Sequence, residues 1–97
     1  GNKIFVKNAV LELYIGLAEI NGSIKILIGS LSSLKKNTKY KTIFKIRPGN
    51  MSRSYIAEKV INFYISKNLL KNEMKDLYLS DLINRLPGNS HLEMTVI

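Results

Sequence analysis

Hydrophobic and polar positions along the chain mark out a series of short elements. Lys3-Ile4-Phe5-Val6-Lys7 reads as a strand, and residues 10–16 as a second, joined to it through Asn8-Ala9 in a hairpin. The second strand ends in Tyr14-Ile15-Gly16, where the missing Cβ of glycine permits a sharp change of direction. The next stretch carries two patterns at once. Ile24, Ile26 and Ile28 alternate as a strand would, directly after the hairpin dipeptide Asn21-Gly22. Ile24, Leu27, Ile28, Leu31 and Leu34 also fall on one helical face over three turns. The longer period outranks the dipeptide, so the spacing predicts a helix over residues 23–35, packed on the 3–16 hairpin. Lys25 lies on its opposite face, and Gly29 costs it about 1 kcal/mol.

Lys39 to Arg47 reads as a strand with Tyr40, Thr42, Phe44 and Ile46 on one face, ended by Pro48-Gly49-Asn50. Ser52 or Ser54 then caps a helix reaching Ser66, whose buried stripe is Ile56, Ala57, Val60, Ile61 and Tyr64. A further helix spans roughly 72–86, with Leu79, Leu82, Ile83 and Leu86 at helical spacing and Pro87-Gly88 as its stop. Residues 91–97 read as a last strand. The order β-β-α-β-α-α-β implies a single α+β domain, with a small mixed or antiparallel sheet and flanking helices. A chain of 97 residues beginning at Gly1 also reads as a piece of a longer protein.

Composition narrows the chemistry. Hydrophobic residues make up 45% of the chain, which excludes intrinsic disorder. No run of apolar residues is long enough for a membrane span, and no cleavable signal pattern is present. With no cysteine there is neither a disulfide framework nor a thiolate metal site, and an intracellular location (cytoplasm or nucleoid) is expected. The one histidine, His91, lies in the polar turn Gly88-Asn89-Ser90-His91 and reads as a surface residue. The net charge of +8, from 15 Lys+Arg against 7 Asp+Glu, favours an anionic partner over mere solubility. Lys35 and Tyr40 interleave with the candidate nucleic-acid-binding residues Lys36, Lys39, Lys41, Lys45, Arg47 and Arg53. An acidic protein surface is the competing partner.

The succession of hairpin, Tyr14-Ile15-Gly16, helix, strand and helix, over residues 3–66, resembles the GIY-YIG nuclease domain. The Gly-Ile-Tyr half of that family's motif falls on Asn2-Lys3-Ile4-Phe5, so Phe5 replaces the first tyrosine. The family places an arginine on its first helix, where the nearest basic residue is Lys25. It places a metal-binding glutamate on the second helix, where Ile56-Ala57-Glu58-Lys59-Val60 supplies Glu58. Asn84 or Asn89 matches an asparagine of many members. The resemblance implies a DNA endonuclease hydrolysing phosphodiester bonds. Glu58 would hold Mg²⁺, Tyr14 would position or deprotonate water, and Lys25 would face phosphate. Lysine is a point charge without arginine's bidentate fork, and Phe5 has no hydroxyl, so the departures imply a slow enzyme or a binding-only relative. The plainer readings are a surface strand tyrosine for Tyr14, a solvated lysine for Lys25, and an acid near a helix start for Glu58. Substrate specificity is expected from dimerisation or an appended domain.

Overall fold

The computed structural model describes residues 12–96, so the strand expected at residues 3–7 lies outside the described residues. The fold is α+β. Four antiparallel strands, β1 (Leu13–Ile20), β2 (Ser23–Gly29), β3 (Thr42–Met51) and β4 (Ser90–Val96), lie in the order β2-β1-β3-β4. The helices are α1 (Leu31–Asn37), α2 (Arg53–Ser66) and α3 (Lys75–Arg85), the last preceded by a 3₁₀ turn, Asn72–Met74.

Residues 23–29 are a strand and not the first turns of a helix. β2 pairs with β1 in a continuous antiparallel register from Ile20↔Ser23 to Tyr14↔Gly29. The turn decides this. Asn21 (φ 52°) and Gly22 (φ 81°) both adopt the left-handed conformation of a two-residue type I′ turn, whose twist matches that of the strands it joins. The apparent helical face drew its members from two elements: Ile24, Leu27 and Ile28 belong to β2, whereas Leu31 and Leu34 belong to α1. Ser30 separates them, its hydroxyl accepting the Ser33 N–H at 3.2 Å as the helix N-cap.

Two boundaries shift as well. β1 runs on past Gly16 to Ile20, so the glycine sits in mid-strand opposite Leu27 and turns nothing. β3 begins at Thr42 and continues through Pro48-Gly49-Asn50. Among the described residues its register with β1 runs from Ile15↔Phe44 to Leu13↔Ile46.

The chain divides into two compact units: the sheet strands with α1 (to Pro48, and from His91), and residues Gly49–Ser90. In the first, Ile15, Leu17, Ile26, Leu34, Ile43, Phe44 and Ile46 are buried, each such side chain contributing about 1.5–3 kcal/mol. In the second, Ser52 caps α2 by accepting the Tyr55 N–H at 3.1 Å. Ile56, Ala57, Val60, Ile61 and Tyr64 form the buried stripe anticipated for this helix, with Leu82 buried on α3 and Leu86 just beyond it.

Candidate nucleic-acid interface

The small residues of β1 and β2 determine where α1 sits. Directly paired residues project to the same side of a sheet, so Tyr14, Gly16, Ala18 and Ile20 of β1 share one face with Ser23, Lys25, Leu27 and Gly29 of β2. α1 lies over that face. A Cβ on Gly16 would stand 2.5 Å from Thr38 Cγ2 and 3.3 Å from Leu34 Cδ2, and one on Gly29 would stand 3.6 Å from Leu34 Cδ1. Gly16 is therefore required for close approach.

Thr38 closes α1 and fixes the chain that follows. Its N–H and its hydroxyl both donate to the Leu34 carbonyl, at 2.9 and 2.6 Å. The next N–H, of Lys39, donates to the Leu17 carbonyl on β1 at 3.0 Å. Lys39 Nζ in turn meets Glu19 Oε1 at 2.8 Å, and this hydrogen bond, with the carboxylate charge, raises the lysine above its ordinary pKa. The α1–β3 connection is thus tied to α1 through Thr38 and to β1 through both the backbone and the side chain of Lys39. Beside it, Leu31, Lys35, Lys39, Tyr40, Lys41 and Val96 line an open groove of about 640 Å³.

Electrostatics sort the basic residues. The three glutamates among the described residues of the sheet unit are all engaged: Glu12 with Lys45 at 3.0 Å, Glu19 with Lys39, and Glu93 with Arg47 at 3.7 Å. Hydrogen bonding to Glu12 raises the Lys45 pKa in the same way. Lys35, Lys36 and Lys41 are exposed and have no carboxylate partner among the described residues. Of the candidate phosphate-binding residues, Lys36 and Lys41 are thus unpaired, Lys39, Lys45 and Arg47 are paired, and Arg53 is exposed at the start of α2 in the other unit. The interleaving of lysines with Tyr40 was the sequence signal for this surface. The contributions of Leu31, Thr38 and Val96 depend on tertiary packing and left no such signal.

No family model, curated protein or solved structure matches the chain.

Of the residues assigned to a nuclease site, Glu58 lies on a helix as expected, whereas Lys25 lies on a strand and not on a helix. Lys25 stands on strand β2 opposite Ala18, and Tyr14 pairs with Gly29 and Lys45. Four residues of β1, about 13 Å at strand rise, separate their positions. Gly16, roofed by Leu34 and Thr38, lies between them. Glu58, on α2, has its Oε1 3.7 Å from Lys75 Nζ. Among the described residues, no three His, Cys, Asp or Glu side chains group together. A Mg²⁺ ion at Glu58 would have this one carboxylate, with water and phosphate oxygens to complete its shell, and the Lys75 ammonium opposing it. No described helix is long and apolar enough to cross a membrane.

Proposed function

We propose that this domain binds nucleic acid through its phosphates, without catalysing a reaction on it. The observation that carries the reading is the division of charge in the sheet unit. Every described carboxylate there is matched by one cation, and the surplus remains on Lys25 of β2 and on the cluster Lys35, Lys36 and Lys41, at the end of α1 and the end of the connection that follows it. Free ammonium groups on an anchored connection neutralise phosphates and release counterions, which supplies sequence-independent affinity. The lack of cysteine fits an intracellular setting.

The test is a titration of labelled duplex and single-stranded oligonucleotides at several salt concentrations. Three phosphate contacts give a log–log slope of about −2.7 for duplex and about −2 for a single strand. Replacing Lys35, Lys36 and Lys41 by Gln should bring the slope close to zero. Replacing Lys45 and Arg47, which are already paired, should change it little. No binding by the parent chain at low salt removes the reading.

A further inference from the structure

We infer that the groove beside the α1–β3 connection takes an unpaired nucleobase of single-stranded nucleic acid, stacked on Tyr40; this rests on the phosphate-binding reading above. Phosphate neutralisation alone needs only cations, yet this groove also has apolar walls, Leu31 and the largely exposed Val96, and an aromatic ring between two lysines. That combination suits a ligand carrying both a charged backbone and a flat apolar face. Cations that track the backbone, with an aromatic platform for the base, are the recurring means of holding single strands. A duplex keeps its bases stacked inside and offers nothing to the tyrosine. The volume of about 640 Å³ falls within the range of pockets that take small ligands, and the lining residues include no carboxylate to repel a phosphate.

The groove is also prepared before any ligand arrives. Thr38 is bonded to Leu34, the Lys39 N–H to Leu17, and the Lys39 ammonium to Glu19, so the residues immediately before Tyr40 are held on both backbone and side chain. Lys39 Nζ lies over the Tyr40 ring, 5.8 Å from its centroid. Tyr40 is half-buried, so its ring is supported on one part and accessible on another. A platform held this way loses little conformational freedom on binding.

Fluorescence anisotropy with a labelled oligothymidylate, and with a duplex of equal length at the same salt, tests the inference. The parent chain should prefer the single strand. Tyr40→Leu, which keeps apolar bulk but has no π face, should weaken single-strand binding by about fivefold or more, leaving duplex affinity and the salt slope unchanged. Tyr40→Trp should retain single-strand affinity and show indole quenching on binding. Circular dichroism on each variant checks that the fold is kept. If the folded Tyr40→Leu chain binds the single strand as the parent does, or the parent prefers duplex, base stacking is overturned while salt-dependent phosphate binding stands. If the parent binds neither oligonucleotide at low salt, or binds polyglutamate in preference to both, the phosphate reading falls with it.

Discussion

Replacing Gly16 by Ala is the sharpest probe of how the sheet carries α1. The new Cβ would stand 2.5 Å from Thr38 Cγ2 and 3.3 Å from Leu34 Cδ2, whereas carbon atoms at rest are about 3.5–4.0 Å apart. Something must move by roughly an ångström. Thr38 cannot swing its methyl away without giving up the 2.6 Å hydroxyl bond to Leu34 O. Overpacking of this kind costs about 1–3 kcal/mol. Against that, removing a strand glycine recovers about 0.5–1 kcal/mol of chain entropy. The net expectation is a loss of about 1–2 kcal/mol, or roughly 4–16 °C in Tm for a domain of this size. Urea denaturation followed by circular dichroism measures it. Thr38→Ser removes the obstructing methyl and keeps the hydroxyl, so in the Gly16→Ala background it should restore stability, with a coupling energy of about 1 kcal/mol. A Gly16→Ala chain as stable as the parent, or one that Thr38→Ser does not rescue, would refute the proposed packing.

Two further expectations concern groups away from the groove. Burial pushes the Tyr64 phenol well above its ordinary value of 10. Its folded pKa is raised, so the stability it contributes is present below pH 10 and declines above it, by up to about 1.4 kcal/mol per pH unit; alkaline melts of Tyr64→Phe should show a shallower decline. Plasmid nicking should be absent for the parent chain with or without Mg²⁺, and unaltered by Glu58→Gln or Tyr14→Phe. Metal-dependent nicking that Glu58→Gln abolishes would establish the nuclease assignment and refute the binding-only reading.

The helices of the second unit were legible because their signals were local and unopposed. Ser52 precedes α2, the apolar stripe from Ile56 to Tyr64 keeps one period, and Pro87-Gly88 follows α3. Residues 23–35 were misread because two elements abut at Gly29-Ser30 and their apolar residues coincide with a helical spacing that neither element has alone. There the turn dipeptide carried more information than the longer period, since φ is positive at both Asn21 and Gly22. Gly16 was correctly singled out as special, but for bending when its role is close packing, and that distinction depends on Thr38, far along the chain. The basic residues of the sheet unit were identifiable only as a cluster. Which of them are free depends on where Glu12, Glu19 and Glu93 fall in the folded sheet.

The β1–β2 hairpin also bears on the order in which the sheet is assembled. Its pairs run outward from Ile20↔Ser23, each closing a short loop, whereas β1 meets β3 only through partners as distant as Ile15↔Phe44. Loop closure becomes costlier with length, and hairpins form in about 1–10 μs. During synthesis, at about 5–20 residues per second, the hairpin is therefore complete well before β3 has been made. Until α1 has also been made, the hairpin exposes Tyr14, Ile20 and Leu27 beside Gly16, Ala18 and Gly29 on the face that α1 later covers, and Ile15, Leu17, Ile24 and Ile26 on the other. The small residues that make room for α1 thus leave the waiting hairpin with apolar side chains on both faces, and rapid docking of α1, the next element made, is what covers the first of them. Pulse-labelled hydrogen exchange during refolding should accordingly show β1 and β2 amides protected ahead of those in β3.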